Sequence, residues 1–467
     1  MRPCQLQAEK KKRENMLSGN IYRRLMGAAV PLLIGDILQQ LYNITDTIII
    51  GRFLGSHAFA AAGISSTVMN LFTFIIAGFC TGISIIFANT YGQTDFTTFR
   101  KETYLTILPG GMIAMLFGLT GLMLVRPILQ LLQTPGELLN YTQDYLTIIL
   151  AGMPAVYFYN LGAALLRSIG KFSTALIFLI GAVSFNIVAD CFLIEVFQWG
   201  IRGAAIATVA SQTVSAGGCF FYIKKNYSYL LFGKKECVIQ KSLVKKTLSY
   251  GLVSALHQSS LYLGKAMVQR AVNGIGIYAV SAFTASTRIE DFVNAFGSSM
   301  SQSVSVFTAQ NYGAGNLSRV KKGLHSSMIL TVLLSLLSSA VLFFGAGPLI
   351  QLVLAASTGR EFEAGFSYLQ MIAFFYVFCF VGNVFVGYFR GIGKVELPFL
   401  GTTLHISIRV VLSFLLTPLW GLSAVAVATG VGWIVVVIFQ GIAYKICGRK
   451  VFAKSFEMWK KHTITPK

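Results

Sequence analysis

Apolar runs of roughly 20 residues, separated by short polar breaks, recur along the chain from one end to the other. A helix rises about 1.5 Å per residue, so each run can cross about 30 Å of hydrocarbon, and about twelve runs meet that length. The first follows the basic stretch "EKKKRENMLSGNIYRRL" and extends from about Met26 to Leu54. It exceeds the roughly 7 to 15 apolar residues of a signal-peptide core, and no small-residue cleavage site follows, so it reads as a retained span. The pattern predicts an all-α integral membrane protein.

Within the first span the apolar pattern is broken on one side. Asp36, Gln39, Gln40, Asn43, Asp46 and Thr47 recur at spacings of three and four, which places them in one stripe of a helix. A carboxylate at the centre of a membrane helix costs about 2.5 to 3.5 kcal/mol to insert, and such groups face a bundle interior or a wet cavity. The stripe therefore faces inward. In the fifth span, "SFNIVADCFLI" holds Asn186 and, one turn later, Asp190. The sixth carries Thr208, followed by Ser211 and Gln212. Asp46 lies nine residues before Gly55, Asp190 nine before Trp199, and Thr208 eight beyond Gly200. Each is thus roughly 12 to 14 Å in from the outer side, so three spans bring oxygen-bearing side chains to one level.

Two aspartates meeting in low dielectric cannot both stay charged cheaply, so the pair takes up a proton readily. The same carboxylate, amide and hydroxyl oxygens also suit a hard cation such as Na+. The residues leave H+ and Na+ both open as the ion, and imply no other metal and no cofactor. Pro31, in "AVPLLIG", removes a backbone hydrogen bond well before this level and is a candidate hinge of the first span. Asn160 in the fourth span reads as an amide facing a cavity or a neighbouring helix.

Composition agrees with the membrane reading: 55% of residues are hydrophobic and 12% charged, where soluble domains carry about 25% charged residues. The net charge of +21 admits nucleic acid as a partner until its distribution is considered. With the N-terminus cytoplasmic and the spans alternating, 30 of the 38 Lys and Arg fall in cytoplasmic segments. That is the positive-inside bias of a multi-pass protein of the cell (inner or plasma) membrane with both termini cytoplasmic, and no nucleic-acid partner is expected. The seven cysteines are scattered and show neither a disulfide framework nor metal-ligand spacing.

The break Lys224 to Lys246 divides the chain into halves that correspond at a shift of about 221 residues, the mark of an internal repeat. "ANTYGQTDFTTFRK" pairs with "AQNYGAGNLSRVKK", "RSIGK" with "RGIGK", and "WGIRGAAIAT" with "WGLSAVAVAT". An even number of spans per half gives both repeats the same orientation, related by an axis along the membrane normal. The expected organisation is a basic leader (1–24), a six-helix bundle (25–223), a cytoplasmic linker (224–246), a second six-helix bundle (247–445) and a basic tail (446–467). The second half lacks the paired acids, since Asp190 corresponds to Val411. It buries Lys265, Arg288, Glu290, Asp291 and Arg409 instead. Arg288 and Asp291 are i,i+3 and are expected to pair, while Lys265 reads either as a cavity residue or as structural.

The runs "LQQLYNITDTIIIGRFLGSHAFAAAG", "FNIVADCFLI" with "WGIRGAAIATVASQ", and "ASTRIEDFV" with "AQNYGAGNLSRVKKG" together resemble the multidrug and toxic compound extrusion (MATE) family, from Arg24 to about Lys445. The resemblance implies twelve helices and export of organic, mostly cationic amphipathic compounds in exchange for inward H+ or Na+ by alternating access. It assigns Asp46, Asn186, Asp190 and Thr208 to the coupling ion and Pro31 to a bending first helix; Asp36, Gln39, Tyr42, Asn43, Asn160 and Lys265 are the residues expected to line the substrate cavity. Lys265 stands where some relatives carry an acid used for sodium. A monomer, drug-like small molecules and the lipid bilayer are the partners expected. A lipid-linked oligosaccharide flippase of the same superfamily is the second reading, carried by Lys265, Arg288 and Arg409. A polytopic membrane enzyme is the third, and the five dispersed histidines speak against it.

Overall fold

The computed structural model describes residues 14–354 and 358–463; residues 1–13 of the basic leader and 464–467 of the tail lie outside the described residues. Among the described residues every regular element is helical. In chain order these are α1 (Glu14–Leu17), α2 (Ile21–Gln93), α3 (Phe96–Leu131), α4 (Gly136–Ala151), α5 (Met153–Ser168), α6 (Phe172–Cys191), α7 (Gly200–Asn226), α8 (Lys241–Asn273), α9 (Ile277–Gly313), α10 (Leu317–Phe344), α11 (Ala346–Leu354), α12 (Arg360–Ala373), α13 (Tyr376–Gly391), α14 (Glu396–Trp420) and α15 (Leu422–Thr463). Short 3-10 turns over Ser228–Leu230 and Lys234–Glu236 lie in the linker, and a π-helical turn over Phe192–Val196 ends α6.

The first spanning helix begins at Ile21, earlier than the apolar run, and α2 runs for 73 residues. At 1.5 Å per residue that is about 110 Å, so α2 holds two crossings. They meet at Gly55, whose φ of 81° is open to glycine without a Cβ penalty. The fourth and tenth crossings are bent pairs, α4 with α5 at 47° and α12 with α13 at 54°. Counting α2 twice and each bent pair once, the described helices make twelve crossings. Helices α8 and α9 are long enough to cross but fall outside the set that is also apolar enough.

The repeat is visible in the backbone. Gly55 matches Gly276, Thr94 matches Gly315 and Gly200 matches Gly421 at a shift of 221 residues, and all six adopt positive φ. Positive-φ residues recur because each lies where one helix gives way to the next at the same place in its half.

Contacts divide the chain into two compact units, Val30–Ser259 and Met1–Ala29 with Ser260–Lys467. The core of the first is built on residues such as Ile83, Phe87, Phe99, Leu146, Leu161 and Leu166. Its linker is fastened to α3: Arg100 Nε donates to Glu236 Oε1 at 2.8 Å, and Gly233 N donates to Glu236 Oε2 at 2.9 Å. The Gly233 amide and the Arg100 guanidinium hold this carboxyl below its ordinary range. In the second unit Arg319 satisfies three carbonyls of the N-terminal segment, donating to Met16, Gly19 and Ser18 at 3.2, 2.9 and 3.0 Å.

Candidate functional site

Asn186 and Asp190 are four residues apart on α6, so they share a face, and both are sealed from solvent. With its amide oriented to satisfy its neighbours, Asn186 Nδ2 donates to Asp190 Oδ2 at 2.8 Å, and its Oδ1 accepts from the Thr208 amide at 3.2 Å. That bond ties α6 to α7. Thr208 in turn lies with its hydroxyl 3.5 Å from that of Tyr42, on the first arm of α2. One turn further along that arm, Asp46 comes within hydrogen-bonding reach of Asp190, carboxyl to carboxyl.

A hydrogen bond between the two would need one shared proton, because an ionised carboxylate only accepts. Asp46 Oδ1 and Asp190 Oδ1 are, in addition, buried without a hydrogen-bond partner. Two such acceptors on neighbouring acids suit a proton or a cation, since an isolated charge in low dielectric is costly until something answers it. The donor set available to a bare ion is two carboxylates, the Thr208 and Tyr42 hydroxyls and the Asn186 amide, all hard oxygens.

A sixth member of the group, Tyr145 on α4, was not legible in the sequence. It is buried and its hydroxyl bonds Thr208, with Asp46, Asp190 and Tyr42 close enough to act on it electrostatically. Gln212, one turn beyond Thr208, also buries an unpartnered Oε1.

The other residues assigned to a cavity are not gathered here. Asn43 is exposed one turn before Asp46. Asp36 and Gln39 sit about 15 and 10 Å before Asp46 along α2. Asn160 Nδ2 donates to Val156 O at 2.8 Å, within its own helix. Lys265 belongs to the second unit, where its Nζ lies 2.6 Å from Asp291 Oδ1. Asp291 thus pairs across helices with Lys265 and not with Arg288, because a lysine stem spans the gap between α8 and α9. Beside it, Glu290 accepts from the Tyr368 hydroxyl at 3.3 Å, and Tyr368 also bonds Arg409.

Repeated halves, twelve helical crossings and a buried acid pair between three of them define a multi-pass membrane protein with a polar intramembrane site. The MatE family model matches residues 31–192 and again 254–415, so the chain belongs to the MatE family, one match for each repeat. It is 28% identical over 378 residues to "Probable multidrug resistance protein YpnP" of Bacillus subtilis, covering 80% of this chain and 83% of the relative. It is 24% identical over 405 residues to "Probable multidrug resistance protein NorM" of Thermotoga maritima, covering 83% of each. Among solved structures, that of a MATE protein in the bent conformation superposes with a TM-score of 0.86 at 22% identity, covering 95% of this chain and 99% of that one. A MOP superfamily transporter from Pyrococcus furiosus, described as having a binding pocket of reverse polarity, gives 0.86 at 21% identity, covering 94% and 98%. At these identities the structures speak for the fold.

Proposed function

We propose that the protein is a secondary active multidrug efflux transporter, exchanging organic, mostly cationic amphipathic compounds for inward H+ or Na+ by alternating access. The observation that carries this reading is the Asp46–Asp190 contact inside the first unit, with one buried oxygen on each acid unanswered. Intramembrane acids of this kind mark ion pathways, and the names of the relatives supply the substrate class.

The cycle follows from charge. An ion arriving from outside neutralises the pair and loosens its hold on a cationic compound, which leaves. The loaded carrier turns inward and releases the ion, and the recharged pair takes new compound. Each inward charge moved through 100 mV supplies about 2.3 kcal/mol, enough to sustain roughly a 50-fold gradient. Pro31 has no N–H to give to the carbonyl of Gly27, so the first arm of α2 lacks a backbone hydrogen bond there. We place the bend of the first helix there. Asn43, Tyr42, Gln39, Asp36, Asn160 and Lys265 are proposed to line the substrate path.

A basic cavity for a pyrophosphate would favour the flippase reading. The charge of Lys265 is answered by Asp291, and Arg409 reaches Tyr368 beside Glu290, so two of the three bases that carried that reading are already engaged.

The test is transport of a cationic dye in proteoliposomes with imposed proton or sodium gradients. The wild type is expected to move dye against one of the two gradients. Asp46→Asn, which keeps the shape of the side chain, is expected to abolish gradient-driven transport while the protein still elutes as a folded species. Transport near the wild-type rate in that variant would refute the assignment.

A further inference from the structure

Helices α8 and α9 are the two long crossings that are not apolar enough to pass as lipid-facing spans, and they carry a charge pair that the coupling site does not use. Lys265 lies eight residues before the end of α8 at Asn273, and Asp291 fourteen beyond the start of α9 at Ile277. At 1.5 Å per residue these depths are roughly 12 and 21 Å, both inside the hydrocarbon slab. The Lys265 side chain is nevertheless 56% exposed and that of Asp291 28%. Arg288, one turn before Asp291 on α9, is exposed as well. Charges exposed at that depth do not face acyl chains, so this face of the second unit is wet.

The surroundings fix what the pair can do. Glu290, the neighbour of Asp291, is buried and already accepts from Tyr368, which Arg409 also reaches. It therefore does not offer itself to a ligand. Asp291 is the accessible carboxylate, and its partner is an ammonium on a flexible four-carbon stem that can swing away without disturbing a helix. With Lys265 and Arg288 beside one acid, the face carries excess positive charge while the pair is closed. Opening it exposes one negative charge to whatever cation replaces the lysine.

We propose that Lys265 is a tethered cation which occupies Asp291 in place of a substrate and so sets how much positive charge a substrate can bring to this face of the second unit. A monocation replaces the ammonium charge for charge, whereas a dication adds a charge next to Arg288 and is disfavoured. The proposal rests on the transport reading for its substrates, but a binding measurement can be made without any gradient.

The experiment is equilibrium binding of ethidium (one positive charge), propidium (two) and fluorescein (negative) to the purified full-length protein in nanodiscs. Lys265→Gln is expected to improve propidium affinity relative to ethidium by about tenfold or more, the factor corresponding to about 1.4 kcal/mol. Lys265→Arg should keep the wild-type order of the three. Asp291→Asn should shift preference toward fluorescein, and the double variant Lys265→Gln/Asp291→Asn should return the ratios toward the wild type. Equal losses for all three probes in Lys265→Gln, or unchanged ratios, would overturn the proposal. A measurement on the unmodified protein guards against misfolded variants: acetylation of Lys265 by acetic anhydride, read by mass spectrometry, should rise when ethidium binds. Protection, or no change, would also overturn it. Failure of gradient-driven transport with the binding ratios intact would remove the transport reading and leave the charge filter standing.

Discussion

At the scale of single residues, what could be read without coordinates was whatever is expensive in a membrane. Asp46 and Asp190 stand out because a carboxylate is rare in an apolar run, and periodicity carries each to a face and a depth. Tyr145 could not be found that way, because a tyrosine among leucines is ordinary core and the hydroxyl it meets is 63 residues further on, at Thr208. The same limit misassigned Asp291, for which the sequence offers a neighbour on its own helix while the fold supplies Lys265 from another. Tyr145 also makes a prediction. Its hydroxyl shares Thr208 with Tyr42, so Tyr145→Phe removes one hydrogen bond and leaves the ring in place. A bond of this kind contributes about 0.5 to 1.5 kcal/mol, so affinity for the coupling ion should fall roughly 2- to 12-fold. Titration of ion-dependent dye release against pH and sodium concentration measures it. An unchanged titration would place Tyr145 outside the ion site.

Among elements, the first part of α8 shows how helices approach where there is no hydrophobic force between them. In the unit Val30–Ser259, Gly78 and Gly82 on the second arm of α2 face α8 so closely that a Cβ on Gly82 would lie 2.1 Å from the carbonyl oxygen of Tyr250. Gly251 on the opposing helix similarly leaves room for the ring of Phe79. Small residues four apart let two backbones meet, which is how membrane helices associate. A few residues along the same contact, Thr247 Oγ1 lies 2.8 and 2.9 Å from the two oxygens of Glu102, a buried carboxylate of α3. Composition marks α8 as polar, but only the contact explains why glycines stand where they do. Gly82→Val must push backbone against backbone, and overpacking of that kind costs about 1 to 3 kcal/mol or more. Its thermal unfolding in detergent should begin well below that of the wild type. Gly217→Ala, on an exposed helical position with nothing within 4 Å, is the matched control. It should be neutral or stabilising by up to about 1 kcal/mol. Equal behaviour of the two variants would mean that α2 and α8 are not close-packed at Gly82.

Across the whole molecule, the repeat was legible because it is written in spacing. A shift of 221 residues appears first as matching motifs and again as matching positive-φ residues, including Gly55 with Gly276 and Gly200 with Gly421. The orientation reading rests on charge alone: 30 of the 38 Lys and Arg fall in every second break between crossings, and so on one side, seven of them in the linker from Lys224 to Lys246. Each basic residue near an anionic leaflet contributes about 1 kcal/mol, so turning such a segment outward would forfeit several kcal/mol. We infer from this distribution that the linker is cytoplasmic. The chain carries its own reporter, because Cys237 is exposed in the linker while Cys80, Cys219 and Cys379 are buried. In a variant that keeps Cys237 as its only cysteine, a membrane-impermeant maleimide should label inverted vesicles and leave intact cells unlabelled. Glu137→Cys in the same background with Cys237 removed, at the exposed start of α4, should give the opposite pattern. Labelling of Cys237 from outside intact cells would invert every crossing at once, since the parity of twelve spans fixes all the others when one is known.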